Sequence, residues 1–185
     1  MIPFRRRGDP HMLAVGMTGV KLGDRVVQIA CPHGGRMAAV AAKVGLSGRA
    51  VAVVATEAEA ARARKGAADA GVLVEVEVSP PTSLPLEADA FDLAVIDDTG
   101  GFLGALRAEE RVATVREVHR VLRQGGRVLV IGAAARGGLG ALFSRTHAGP
   151  PFDPSPSLEA DGFRSVRLLA EREGLTFVEA IKPRR

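Results

Sequence analysis

An α/β three-layer sandwich, with helices on both faces of a mostly parallel sheet, is the fold class the sequence predicts. Three observations lead to it. Short Val-rich runs alternate with Ala-rich helical stretches, and glycines mark the changes between them. The chain then closes on two apolar runs joined by only four residues, a connection short enough only for an antiparallel hairpin. With 185 residues, 46% hydrophobic and 25% charged, the chain has room for one compact core and is read as a single domain over 1–185.

The elements follow in order. Asp9 and Pro10 supply an N-cap and first helical position for a helix to about Val20, and Gly23-Asp24 turns the chain into a strand from Arg25 to Ala30, ending near Cys31. Gly34 to Lys43 is helical in composition and stops at Gly45. Ala50 to Val54 reads as a second buried strand. Thr56 and Glu59 form a capping-box pattern for a helix that runs to Gly71. Val72 to Val78 is a third strand, and a segment with Pro80, Pro81 and Pro85 leads to a fourth, Phe91 to Asp97. A long helix from about Ala108 to Arg123 places Val112, Val115, His119 and Leu122 on one face, and Gly125-Gly126 closes it. Arg127 to Ile131 is strand five. The Gly- and Pro-rich stretch 132–157 has no regular period and is expected to be a flexible loop or lid. Arg164 to Ala170 and Leu175 to Ile181 form the hairpin around Glu171-Arg172-Glu173-Gly174.

Composition narrows the function classes. No Trp, no Tyr and seven Phe leave no aromatic platform for stacking bases, so single-strand nucleic-acid binding is not expected. The net charge is +4 and the pI near 10. Arg5, Arg6, Arg7, Lys182, Arg184 and Arg185 place six positive charges in the two tails, 1–8 being the basic N-terminal one, which leaves the body near −2. No basic patch for nucleic acid or a membrane is implied. A lone cysteine, a basic N-terminus interrupted by Asp9, Pro10 and His11, and apolar runs of only about seven residues lead to the expectation of a cytoplasmic protein.

Several residues carry candidate chemistry. Asp97 and Asp98 end strand four beside Thr99-Gly100-Gly101, where paired carboxylates would serve as catalytic base or cation ligands; the alternative is that one of them caps a turn. Cys31-Pro32-His33-Gly34-Gly35-Arg36 sets a thiol before a helix N-terminus with an arginine after it, surroundings that lower a thiol pKa and attract anions. That spacing has four intervening residues where the phosphatase Cys-loop-Arg motif has five. The other reading of Cys31 is a small buried apolar residue. Gly132 to Gly137 is followed by Gly138 and not by the lysine of a phosphate-binding loop. His11, His33, His119 and His147 show no ligand spacing, so no metal is expected.

Four phrases, in this order and spacing, carry a family resemblance: Gly23-Asp24-Arg25-Val26; Leu84 to Asp92; Glu117 to Gly126; and the hairpin from Gly162-Phe163 through Ala180. Over roughly residues 10–182 the chain resembles the class I S-adenosylmethionine-dependent methyltransferases, especially the branch acting on small molecules such as quinone precursors. The resemblance implies a Rossmann-like, seven-stranded, mostly parallel sheet with the last strand antiparallel, S-adenosylmethionine as cofactor, and a small-molecule substrate entering over Asp97 to Leu103 beneath 132–157. It further implies cofactor-binding positions in the turn after strand one, of which Cys31 and Gly34 match the family's Gly-Cys-Gly-x-Gly. Gln28 stands where the family has an acid, while Ala30 and Pro32 replace two glycines. Val54 stands at the end of strand two, where the family's carboxylate accepts from both ribose hydroxyls, and Pro80 where an Asp takes the adenine amino group; Glu57 is an alternative ribose partner. The alternative function is a non-catalytic relative that has lost the cofactor and serves as a binding or oligomerisation module. Its hairpin edge or Ala-rich helices would form the contact, as in a homodimer.

Overall fold

The computed structural model describes residues 11–134 and 152–184. The elements are α1 (Met12–Thr18), β1 (Arg25–Ile29), α2 (Gly34–Val44), β2 (Arg49–Val54), α3 (Glu57–Ala70), β3 (Glu75–Val78), β4 (Phe91–Asp98), α4 (Phe102–Ala105), α5 (Ala108–Val121), β5 (Leu122–Ala133), α6 (Ser155–Ala160), β6 (Arg164–Arg172) and β7 (Leu175–Ile181). The seven strands form one sheet in the order β3-β2-β1-β4-β5-β7-β6. β1 to β5 run parallel, and β7 is antiparallel to both of its neighbours, β5 and β6. The predicted fold class is therefore the one observed.

Period-two alternation along the strands divides the core between two faces. On one face, Val26, Leu93, Val95, Leu129 and Ile131 meet α1 and α2 through Ala14, Val40 and Val44, while Ala52 and Val54 meet Met37, Ala60 and Ala63 of α2 and α3. On the other, Val27, Ile29, Ala94, Ile96, Val128 and Val130 meet Leu103, Val115, Val118, Val121 and Leu158 of α4, α5 and α6. Helices thus cover both faces, which is why the central strands read as unbroken apolar runs.

Several boundaries differ from expectation, each for a local reason. α1 begins at Met12 after His11, and the expected cap at Asp9-Pro10, like the basic tail, lies outside the described residues. β3 is only Glu75–Val78, because Val72 belongs to the turn that ends α3, its N–H donating to Ala67 O. The stripe that α5 buries is Thr114, Val115, Val118 and Val121, whereas Val112 is exposed. β5 starts directly at Leu122, with a register irregularity opposite Phe91 to Leu93 that absorbs Gly125-Gly126. The 132–157 stretch is not all loop: β5 runs to Ala133 and Ser155–Ala160 is helical, while 135–151 lies outside the described residues. The β6–β7 hairpin is tighter than drawn from sequence, turning on Glu173 and Gly174 alone, both at positive φ (53° and 73°).

The Pro-rich connection before β4 is fixed by α5. Leu84 N–H donates to Glu117 Oε2 at 2.7 Å, and the Arg120 guanidinium donates to the carbonyls of Leu84 and Leu86 at 3.0 and 2.8 Å. Two of the four phrases singled out in the sequence are thereby clasped to each other.

Candidate functional site

In an open parallel sheet, ligands bind beyond the carboxyl ends of the strands, where neighbouring connections diverge to opposite faces. Here that point lies between β1 and β4: β1 leads into α2 on one face and β4 into α4 on the other. The turn after β1 begins at Ala30, buried and held at φ 62°, a left-handed conformation that glycine adopts with least strain. Gln28, fully buried, braces this turn by donating from Nε2 to Ala30 O at 3.0 Å, and its Oε1 has no hydrogen-bond partner.

Asp97 and Asp98 come to the same strand end but do not form a pair, because successive side chains of a strand point to opposite faces. Asp97, with no exposed surface, accepts from Arg36 NH1 at 2.5 Å. Thr99 closes this cluster: its hydroxyl donates to Asp97 Oδ1 at 2.6 Å and accepts from Arg36 NH1 at 3.1 Å. Arg36 itself is buried on α2, with Nε unpartnered. Asp98 turns toward α4 and accepts the Leu103 N–H at 2.6 Å. Burial pushes its carboxyl up to about 6, and Asp97 adds to the rise, against the Leu103 N–H and Arg111, which lower it. Of the two sequence readings, the turn-capping one describes Asp98.

Cys31 is wholly buried beside Met37, Val54 and Ala63. Burial pushes its thiol up to about 11, and the carboxylates of Asp97 and Glu59 raise it further against Arg62 and Arg36. The activated-thiol reading is thus overturned, since the arginine that should activate Cys31 is committed to Asp97. Gly34 answers to packing: a Cβ there would collide with the carbonyl of Arg62, and one at Gly66 would collide with Gly34, so α2 and α3 cross at backbone contact. Glu57, the alternative ribose partner, is exposed on α3 and faces Arg64 at 3.2 Å. The nearby Thr56 hydroxyl accepts from Glu59 N–H, and Glu59 Oε2 accepts from Ala55 N–H. His119 packs edge-on against Phe163 at 5.0 Å, and burial, then Lys182, lowers its pKa. Among the described residues no group of three or more His, Cys, Asp or Glu is placed to hold a metal, and no helix is long and apolar enough to cross a membrane.

Sequence reasoning missed Arg36 as a partner of Asp97 and missed α4 with its clasp. A signal for the first existed: Arg36 precedes Val40 and Val44 on one helical row, so it interrupts a stripe that is otherwise buried.

A seven-stranded sheet of this order, with its last strand reversed and a ligand edge at the β1/β4 divergence, defines a class I methyltransferase architecture. A family model described as a methyltransferase domain matches residues 27–130, more than half of the chain, and the chain belongs to that family. Similar solved structures include a SAM-dependent methyltransferase from Aquifex aeolicus, 20% identical, with 94% of this chain and 89% of that one covered at TM-score 0.74. The S-adenosylmethionine-dependent methyltransferase SibL in its apo form is 21% identical, with 95% and 55% covered at 0.71. The [4+2]-cyclase SpnF is 18% identical, with 94% and 79% covered at 0.66. These likenesses are likenesses of fold. No curated protein matches the sequence.

The family implies S-adenosylmethionine, whose ribose hydroxyls and adenine amino group are donors that call for acceptors. At the ends of β2 and β3 this chain offers Val54, buried among Cys31, Met37, Ala60 and Ala63, and Pro80. Neither carries a side-chain acceptor; of the carboxylates nearest in sequence, Glu59 accepts from Ala55 N–H, and Glu57 stands exposed on α3 in a surface pair with Arg64. Val54 and Pro80 therefore do not supply the side-chain acceptors that the adenosine half of the cofactor calls for at these two strand ends.

Proposed function

We propose that this chain is a methyltransferase-family domain that has lost S-adenosylmethionine binding and works as a small-molecule binding module on the family's scaffold. Val54 carries the reading. A carboxylate at that position accepts two hydroxyls, whereas a buried valine in an apolar cluster leaves both without partners, a loss of about 1 to 3 kcal/mol for each. With Pro80 added, the combined loss is several orders of magnitude in affinity. A small-molecule ligand agrees with the lack of stacking aromatics and with a net positive charge that the chain ends supply. The hairpin edge is the surface we assign to self-association as a homodimer, and the cytoplasm the compartment.

Titration calorimetry with S-adenosylmethionine and S-adenosylhomocysteine tests the proposal. No heat is expected at millimolar ligand, and micromolar binding overturns the reading. Val54→Asp should restore measurable binding if the scaffold still has the cofactor's shape.

One observation favours a second reading, a methyltransferase acting on a small molecule such as a quinone precursor with its cofactor held by other contacts. Ala30 keeps the left-handed turn at the position of a family glycine, although alanine adopts it at a cost of about 1 to 2 kcal/mol. Transfer of a methyl group depends chiefly on proximity and orientation, so that reading needs no dedicated base.

A further inference from the structure

The single turn α4 sits at the carboxyl end of β4 and has little to hold it. A helix of four residues does not persist by its own hydrogen bonds. It is entered through Gly101 at φ 75° and left through Leu106 in extended conformation, and Ala105 N–H donates to Gly101 O at 3.0 Å. What fixes it is a grip from both ends by oppositely charged side chains. Asp98 accepts the Leu103 N–H at 2.6 Å, and Arg111 of α5 donates from Nε to Leu103 O at 3.0 Å and from NH2 to Leu106 O at 2.9 Å. Phe152 lies on the Arg111 guanidinium at 4.4 Å and within reach of Gly104. Beneath this turn Leu103 and Asp98 are both buried.

A carboxylate under an apolar turn has exchanged water for the Leu103 N–H, with the Arg111 guanidinium, bonded to the carbonyls of that turn, acting on it through its charge. The charged groups facing Asp98 are Asp97 of its own strand, which opposes ionisation, and Arg111 of α5, which favours it. α4 itself (Phe102, Leu103, Gly104, Ala105) brings none, and Gly132 is its β5 neighbour. We propose that α4 is a flap over the carboxyl edge of the sheet, gripped by Asp98 and Arg111, that loosens when Asp98 is ionised and closes firmly when Asp98 carries a proton. The sign follows from linkage. Asp98 holds its proton up to about pH 6 in the closed form, whereas the exposed carboxyl of an open form holds it only to its ordinary value near 3.8. The closed form therefore binds the proton more tightly, gains stability as pH falls from 6 toward 4, and has lost that gain above 6. At neutral pH the flap yields more readily and presents an ionised carboxylate at the ligand edge. This inference does not depend on whether S-adenosylmethionine binds.

Amide hydrogen exchange of Phe102 to Ala105, normalised to intrinsic rates from pH 4.5 to 8, reads the flap directly. Protection should fall with rising pH by roughly 30-fold over this range, most of it between pH 4.5 and 6, because pH 4.5 already lies above the ordinary carboxyl value of the open form, while the β4 amides of Leu93 to Ile96 stay protected. Asp98→Asn, which keeps an acceptor without the charge, should remove the pH dependence. Arg111→Gln should move the midpoint to higher pH, since the countercharge that lowers the Asp98 pKa is gone. Protection that is flat in the wild type, an Asp98→Asn variant that keeps the pH step, a parallel loss in β4, or an unmoved midpoint in Arg111→Gln would each overturn the proposal.

Discussion

Replacing Arg36 by methionine removes the one guanidinium that, among the described residues, pairs with Asp97 and leaves a carboxylate with no exposed surface. Its remaining partners would be the Thr99 hydroxyl at 2.6 Å and the Thr99 N–H at 3.3 Å. Breaking one side of a buried pair in this way costs about 3 to 5 kcal/mol, because the surviving charge has neither water nor partner. Set against the ~5 to 15 kcal/mol by which domains are stable, this is about a fifth of the total or more. Asp97→Leu should cost a similar amount by stranding the guanidinium. The double variant Arg36→Met/Asp97→Leu exchanges the pair for apolar groups of comparable volume and should lie within about 1 to 2 kcal/mol of wild type. Equilibrium urea unfolding of the four proteins at pH 7, analysed as a double-mutant cycle, gives the coupling directly. A cost below about 1 kcal/mol for Arg36→Met, or single-variant losses that simply add in the double, would refute the assignment of Arg36 and Asp97 as a mutually dependent buried pair.

Three further outcomes are expected. Gly34→Ala should lower stability by about 1 to 3 kcal/mol, since its Cβ meets the Arg62 carbonyl and α2 must part from α3; Gly71→Ala, at φ 65° with no atom within 4 Å, should cost only the ~1 to 2 kcal/mol of a left-handed alanine. Thermal denaturation of both, with tryptophan-free near-ultraviolet signals replaced by far-ultraviolet circular dichroism, separates collision from conformational strain. Cys31, buried and with its pKa pushed up to about 11, should react with a disulfide reagent at pH 8 no faster than the protein unfolds, and at once in denaturing urea. A rapid native-state reaction would contradict its burial.

The sheet was legible because its strands are apolar on both faces. Runs such as Val51 to Val54 and Leu93 to Ile96 have no other stable place than between two layers of helix. The hairpin was legible from the length of its connection. What stayed hidden depends on tertiary geometry without a local pattern. α4 is one turn long and exists through side chains from β4 and α5, so no periodicity announces it. Ser155–Ala160 lies in a stretch whose prolines mask its single turn and a half. At the site, spacing located Asp97, Asp98, Cys31 and Gly34 correctly at the carboxyl edge, yet it could not assign what each faces. The alternation that sends Asp97 to α2 and Asp98 to α4 follows once both are placed inside one strand, but the partner of Asp97 lies 61 residues away on another element. Gly34 resembles a ligand-wrapping glycine in sequence, and only the approach of α3 shows which neighbour needs the space.

The position of β7 bears on how the chain comes to be assembled. It follows every other strand in sequence, yet it is an interior strand, seated between β5 and β6 with Phe177, Val178, Glu179 and Ala180 buried. Until β7 is in place, β5 presents an unpaired edge bearing Val128, Leu129, Val130 and Ile131, the kind of apolar border that recruits strands from other molecules. A polypeptide cut before Leu175 should therefore be a seed for aggregation and not a smaller soluble version of the domain, and a nascent chain needs protection until its hairpin has been made.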